Sequence, residues 1–190
     1  MAKAVLISTR PEWVKKILAG EKTLEVRKNR PNMETPFKVY IYCTAGNLSY
    51  EVNNGMFCNI SGGRLVVGEF VCDKITWLTH IGFSGLPGIR LVAMKDRYTI
   101  DDSFDFSESC LTTPQIEKYL GGKDGYVWHI SDLKIYDTPK ELTEFRTWKK
   151  CKSCSKSGYE STACIYDENC MVPAAITKAP QSWQYVEELK

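Results

Sequence analysis

The segment AGEKTLEVRKNRP (residues 19–31) carries six charged residues, yet its TLEVR portion is typical of a β-strand. Side chains alternate between the two faces of a strand, so Glu25 and Arg27 share one face and Leu24 and Val26 the other. Lys22 lies where a predicted helix gives way to this strand, so the alternation does not fix its direction. The residues alone allow either a solvated salt bridge, worth about 0–1 kcal/mol, or a polar cleft.

The flanking segments predict an α+β chain. AVLIS is typical of a short buried strand, and RPEWVKKILAG of a helix with Pro11 in its first turn and Gly20 at its end. FKVYIYCTA and GRLVVGEFVCDKITWL predict strands, and TTPQIEKYLGG predicts a second short helix. Strands therefore dominate, and we expect a mostly antiparallel sheet that closes into a barrel.

The composition is that of a globular chain with a small net charge. It has 190 residues, 43% hydrophobic and 25% charged, with a net charge of +2, which suits a single domain over residues 1–190. No apolar run approaches the ~20 residues needed to cross a bilayer, and no signal peptide is evident, so we expect a cytoplasmic protein with no membrane partner. The small charge argues against duplex DNA as a partner. It leaves RKNR (residues 27–30) as a local nucleic-acid patch or a solvated turn.

The pattern around the charged strand resembles the motif of the ASCH domain family. The motif has a strand ending in Ser, then x-x-Pro-Glu opening a helix, then Gly-x-Lys-x-x-Glu-x-Arg. Here the last part is Gly20, Lys22, Glu25 and Arg27, after ISTRPEW. VVGEF, GYVWHISDLKIYDTPKEL and APQSWQYVEE are similar to the phage and prophage type of ASCH protein.

This resemblance implies a PUA-like, mostly antiparallel β-barrel flanked by short helices, with a cleft between the first helix and the strands. Lys22, Glu25 and Arg27 would line that cleft. Neither Lys22 nor Glu25 would then be a core residue, and replacing either should change stability little. The turn signals in residues 46–63 predict a loop or hairpin insertion.

Glu69 is a second candidate, because it lies in the otherwise apolar row of Leu65, Val67 and Val71. A carboxylate in such a row is costly to ionise unless it is paired. We expect Lys22 or Arg27 to be its partner across the cleft. The alternative is that a bulge at Gly68 turns Glu69 to solvent.

Four further residues are less specific candidates for the same cleft. Ser182 and Trp183 would supply a hydroxyl and an aromatic face for stacking on a base, although Trp183 also suits a core position. His129 would face the cleft or be a structural histidine. Arg10 would meet a phosphate or be solvated.

Four of the eight cysteines crowd into a lobe at residues 146–178, before the last predicted strand. Cys151, Cys154, Cys164 and Cys170 have the ingredients of a closed structural zinc site, and the basic flank KKCKSCSK favours thiolates. Free thiols and a disulfide are the alternatives. The resemblance does not require this lobe.

Three functions are compatible with these residues. The first is a binding module that takes a nucleotide, a nucleoside or single-stranded RNA into the cleft. The second is a metal-dependent ribonuclease or another RNA or nucleoside hydrolase. In that case Lys22, Glu25 and Glu69 would be catalytic, with Mg²⁺ or Mn²⁺ held by the carboxylates. The third is a protein-interaction module that docks through the cysteine-rich lobe.

Overall fold

A computed structural model of the protein describes residues 2–52, 55–82, 89–150 and 171–189. Strands dominate this part of the chain, with two α-helices and two short 3-10 turns, so the predicted α+β class is confirmed. The helices are α1 (Pro11–Leu18) and α2 (Thr113–Leu120), and the 3-10 turns are Phe106–Ser109 and Leu142–Glu144. The strands are β1 (Lys3–Thr9), β2 (Leu24–Arg27), β3 (Phe37–Cys43), β4 (Leu48–Glu51), β5 (Phe57–Ile60), β6 (Leu65–Cys72), β7 (Ile75–Gly82), β8 (Ile89–Met94), β9 (Gly125–His129), β10 (Ser131–Glu141), β11 (Arg146–Lys150), β12 (Met171–Ala175) and β13 (Trp183–Glu187).

Two sheets form the body of the fold. The larger has the strand order β10-β6-β3-β1-β13, and the smaller has the order β2-β9-β7-β8. All pairings in them are antiparallel except β1 with β3, which is parallel. The pairing leaves β10 and β13 at the edges of one sheet and β2 and β8 at the edges of the other. The described residues therefore contain no closed barrel.

Two of the four connections between these sheets are neighbours. One lies at Asp73 and Lys74, between β6 and β7, and the other at Ile130, between β9 and β10. The backbone amide of His129 donates to the carbonyl of Lys74 at 3.0 Å, and that of Ile130 donates to the carbonyl of Thr23 at 2.8 Å. GRLVVGEFVCDKITWL is therefore two strands in different sheets, not the single strand that its composition predicts.

Helix α1 forms where the sequence signals place it. Pro11 opens it, Glu12 lies in its first turn, and Lys15 and Lys16 lie in its last turn, where they complement the helix dipole. The helix ends before Gly20, whose φ of +72° is a left-handed conformation that favours glycine. Its apolar face is fully or nearly buried against the sheets and comprises Val14, Ile17 and Leu18.

Each face of the larger sheet carries a buried core. One face packs with α1 and with Trp128 of the smaller sheet into the main core, and a second core lies on the opposite face. The side chains of Tyr40 and Tyr42 are in this second core, because the segment carrying Leu142 and Phe145 covers them. A third core lies between the smaller sheet and α2.

Outside the two sheets, the described residues form two hairpins, β4 with β5 and β11 with β12. The residues between β11 and β12, with the four clustered cysteines, lie outside the described residues, so the predicted lobe remains a prediction. Among the helices that are described, none has the length and apolar character needed to span a membrane.

Candidate functional site

A cavity of about 650 Å³ lies beside the start of α1. The end of β1, strand β2 and the segment before β13 form its walls, and α2 and the start of β6 reach its edges. Its lining combines four cationic side chains, one carboxylate and three aromatic rings with hydroxyl and backbone groups. These charged and aromatic residues are Arg10, Lys22, Arg27, Arg64, Glu25, Trp13, Tyr42 and Tyr119.

Three charged side chains of the cavity form what we call the closed cluster: Lys22, Glu25 and Arg27. The Lys22 Nζ lies 3.4 Å from Glu25 Oε2, and the Arg27 Nη2 lies 2.9 Å from Glu25 Oε1. Their side chains are 2%, 9% and 7% exposed. The structure therefore brings the three motif residues together, but it buries them, and the expectation that Lys22 and Glu25 are not core residues is wrong.

The Lys22 ammonium donates its hydrogen bonds mainly to backbone carbonyls. It donates to the carbonyls of Leu24 at 2.7 Å and Ser109 at 2.6 Å, and the Glu25 carboxylate lies next to it. An ammonium has three donors, so these contacts use all of them. The Trp13 ring also lies with its centroid 5.6 Å from the Lys22 Nζ. Lys22 can therefore supply fixed positive charge to the cavity, but it has no spare proton for a ligand.

Arg27 joins β2 to two other segments. Its Nη2 donates to the carbonyl of Ser8 and the hydroxyl of Thr9, both at 3.1 Å, and its Nη1 donates to the carbonyl and hydroxyl of Ser182, both at 3.3 Å. Among the described residues, its buried Nε has no hydrogen-bond partner. The planar guanidinium thus holds the segment before β13 against the end of β1. The Ser8 hydroxyl supports the same closure by donating to the carbonyl of Pro180 at 2.6 Å.

Arg10 and Arg64 lie at the rim, and both are exposed. Arg64 has a φ of +68°, a left-handed conformation that is costly for an arginine. It follows Gly63, where a Cβ atom would lie only 2.1 Å from the carbonyl oxygen of Thr44. This close approach fixes the turn that brings Arg64 to the cavity, and the Arg64 amide donates to the carbonyl of Cys43 at 2.8 Å.

Aromatic side chains provide the remaining wall. Trp13 is half-buried, Tyr42 is buried, and Tyr119 is 40% exposed. Burial raises the pKa of Tyr42 and of Tyr119 above the ordinary value, with Arg27 opposing the shift at Tyr119. Both phenols are therefore neutral hydrogen-bonding groups at physiological pH.

Glu69 lies elsewhere, and the prediction that it pairs with Lys22 or Arg27 is wrong. Its carboxylate accepts a short hydrogen bond of 2.5 Å from the Tyr136 hydroxyl and lies 3.5 Å from the Lys38 Nζ, which is also 3.0 Å from Glu188. We call Lys38, Glu69, Glu188 and Tyr136 the open cluster, because its charged side chains are 16–34% exposed. Glu69 and Glu25 therefore do not meet to hold a shared metal ion.

His129 and Trp183 do not line the cavity either. The His129 Nε2 lies 3.0 Å from the Thr76 hydroxyl, and burial together with the nearby charge of Lys74 lowers the pKa of this imidazole. Trp183 packs against Trp128 and Tyr185, with ring centroids 6.0 Å and 5.4 Å away. Of the predicted candidates outside the closed cluster, the structure therefore brings only Ser182 and Arg10 to the cavity.

Cys151, Cys154, Cys164 and Cys170 lie outside the described residues, so the zinc site remains a prediction. In the described part of the chain, no group of three or more His, Cys, Asp or Glu side chains is arranged to hold a metal ion.

Sequence reasoning missed Arg64, Ser109 and Tyr119. The Gly62-Gly63 pair marks a turn, but only the folded chain shows that this turn delivers the next residue to the cavity. Ser109 acts through its carbonyl, which no sequence pattern reports. Tyr119 is the aromatic residue of α2, and the available sequence signal was a large ring next to the apolar pair Ile116 and Leu120, which has helical spacing.

Comparison with known proteins finds similar solved structures but no matching sequence. No protein-family model matches the chain, and no curated protein matches it. The crystal structure of ASCH from Zymomonas mobilis is 20% identical, with a TM-score of 0.47, and covers 73% of this chain and 73% of its own. Structures of two mutants of that protein match with TM-scores of 0.46 at 20% identity, covering 73% and 74% of this chain and 74% and 77% of theirs. All three are structures of a single protein, ASCH from Zymomonas mobilis.

Proposed function

We propose that the cavity binds a nucleotide unit, either free or within single-stranded RNA, and that the protein is a binding module. The observation that carries the proposal is the charge of the lining, which has four cations against one carboxylate on a chain whose net charge is only +2. Such a concentration of positive charge in one concave site favours an anionic ligand. Trp13 and Tyr119 add flat apolar surface beside that charge, which suits a base.

The roles of the lining residues differ in this proposal. Arg10 and Arg64 are exposed and would contact a phosphate directly. Lys22 and Arg27 have their ammonium and Nη donors occupied within the protein, and would act through their charge and by holding the floor of the cavity. The Tyr42 hydroxyl would contact polar atoms of a base or sugar, and the Ser182 hydroxyl, which accepts from Arg27, would donate to them.

A calorimetric titration of the purified protein tests this proposal. The four ribonucleoside monophosphates should bind, and the matching nucleosides should bind more weakly, because they lack the phosphate. Arg64→Gln should weaken monophosphate binding about 10–100-fold, as expected for the loss of a charge-assisted hydrogen bond. Arg146→Gln removes an exposed arginine from β11, outside the cavity, and should leave binding unchanged. Equal affinity of Arg64→Gln and wild type would refute the phosphate role.

The hydrolase hypothesis has less support. Lys22 has no free donor and Glu69 lies in the open cluster, so the proposed catalytic set of Lys22, Glu25 and Glu69 lacks a common centre. The hydrolase hypothesis is checked by incubating the protein with RNA and Mg²⁺ or Mn²⁺ and analysing the RNA afterwards. Formation of cleaved product would favour the enzyme. The phage or prophage type, barrel closure, zinc binding by the cysteine-rich lobe, and protein docking through that lobe remain predictions from the sequence.

A further inference from the structure

We infer that the ligand is a single-stranded polynucleotide, with one unit in the cavity and the adjoining units on the surface formed by Lys28, Arg30, Tyr119 and Tyr126. We call this surface the basic track. The inference rests on the proposed function and extends it, because a mononucleotide would need only the cavity. It gives a role to the whole RKNR segment (residues 27–30), of which only Arg27 lines the cavity.

The basic track begins where the cavity ends. Arg27 is the last residue of β2 and lies at the cavity floor, and the next three residues are exposed. Tyr119 belongs to both surfaces, since it lines the cavity and also lies under the side chain of Lys28. A ligand leaving the cavity on this side therefore meets the basic track without a gap.

Each cation of the basic track lies over a tyrosine ring. The Lys28 Nζ is 5.2 Å from the centroid of Tyr119, and the Arg30 guanidinium carbon is 5.9 Å from the centroid of Tyr126. Tyr126 is itself held in the smaller sheet, where it pairs with Arg27. Cation–π contacts restrain a side chain without using its N–H donors. In the described residues, neither Lys28 nor Arg30 has a carboxylate within 4.0 Å, so both can bind phosphates.

The length of the basic track sets the size of the ligand. Three residues of extended chain span at most about 10 Å, so Arg30 lies within that distance of Arg27 along the chain. At about 3.4 Å per nucleotide in a stacked strand, this accommodates about three nucleotides. Together with the unit in the cavity, the site should be filled by about four. A single strand is favoured over a duplex because a unit must leave its stack to enter the cavity.

The test measures the affinity of a length series of single-stranded RNA, from the 5′-monophosphate to the hexanucleotide, at several salt concentrations. For wild type, affinity should rise about tenfold or more up to four units and then level off. The double variant Lys28→Gln/Arg30→Gln should bind the tetranucleotide about as weakly as the monophosphate. Its slope of log affinity against log salt should fall by about 1.4, because each lost phosphate contact on a single strand contributes about 0.7.

A matched control distinguishes this surface from charge in general. Lys95→Gln/Arg97→Gln removes the same two residue types at the same spacing, just after β8, at the opposite edge of the same sheet. This control should bind every RNA as wild type does. Monophosphate binding by Lys28→Gln/Arg30→Gln should also equal wild type, which shows that the cavity remains folded.

The outcomes separate the inference from the proposed function. Monophosphate binding with no gain from added nucleotides would overturn the basic track and leave the cavity proposal standing, as would wild-type tetranucleotide affinity in Lys28→Gln/Arg30→Gln. A hairpin that holds the same tetranucleotide in a longer base-paired stem and binds as tightly as the single strand would also overturn it. Failure of every monophosphate and oligonucleotide to bind wild-type protein would remove the proposed function, and the inference with it.

Discussion

Two groups of charged side chains in and next to the β-strands of this protein differ in their access to water. The closed cluster of Lys22, Glu25 and Arg27 is 2–9% exposed. The charged side chains of the open cluster, Lys38, Glu69 and Glu188, are 16–34% exposed. Each cluster pairs carboxylates with cationic or hydroxyl donors, so the presence of paired charges does not explain the difference in exposure. What differs is the number of backbone groups that surround them.

The closed cluster is built into the backbone, whereas the open cluster joins side chains. Lys22 and Arg27 donate to four backbone carbonyls in addition to Glu25. The contacts of the open cluster run between side chains that water also reaches. Buried charges are retained only when paired and hydrogen-bonded, and removing one partner is costly. Exposed pairs contribute little because water and salt screen them.

The largest effect is expected from Glu25→Gln. This variant keeps the shape of the side chain but leaves Lys22 and Arg27 without their counter-charge in a buried site. It should lower the free energy of unfolding by about 3–5 kcal/mol, the range for breaking a buried ion pair. Urea unfolding followed by circular dichroism measures the change. A loss below 1 kcal/mol would mean that water reaches the closed cluster and that the two clusters do not differ.

Arg27→Lys should have the second largest effect, because a lysine keeps the charge but not the fork. A lysine ammonium cannot reach the acceptors on Ser8, Thr9 and Ser182 together. Buried acceptors left without donors cost about 1–3 kcal/mol. The same unfolding experiment gives the value, and monophosphate affinity should fall with it as the segment before β13 loosens. A variant as stable as wild type would show that charge alone holds this segment.

Smaller effects are expected from the open cluster. Glu69→Gln should change the free energy of unfolding by less than about 1 kcal/mol. A double-mutant cycle with Lys38→Gln should give a coupling of about 0.2–1 kcal/mol, and 1 M salt should reduce it. Glu69→Gln is also the matched control for Glu25→Gln. If Glu69→Gln destabilised the protein as much as Glu25→Gln, exposure would not be the property that separates the clusters.

The smallest effect is a difference at alkaline pH. Partial burial lowers the pKa of the Lys38 ammonium, but its hydrogen bond to Glu188 and the charge of Glu69 outweigh this, so the pKa lies above its ordinary value of 10.5. The stability that this group contributes is complete below pH 10.5 and is lost as the pH rises through the raised pKa. Lys38→Gln should therefore show a shallower decline of stability above pH 10.5 than wild type. An unchanged decline would show that Lys38 does not contribute to it.

Much of the local structure follows from the order of the residues. Pro11, Glu12 and Gly20 specify where α1 begins and ends, because a helix terminus depends on neighbouring residues alone. Alternation places Glu25 and Arg27 on one face of β2, and the structure keeps them together. The α+β class follows from the same short-range patterns. The motif in residues 19–31 also identified Lys22, Glu25 and Arg27 as residues that lie together.

The partners of these charged side chains depended on tertiary structure. The strand pattern around Glu69 is compatible both with the predicted place beside Lys22 or Arg27 and with the observed place in the open cluster. The chain changes sheet only after β6, at Asp73 and Lys74, so Glu69 stays in the larger sheet beside Lys38 and Tyr136. Arg64 reaches the cavity because two glycines before it turn the backbone. Burial of the Lys22 ammonium depends on the carbonyl of Ser109, 87 residues away, which accepts a hydrogen bond from it. Strand alternation acts over two residues, whereas burial and pairing require contacts between segments that are far apart in the chain.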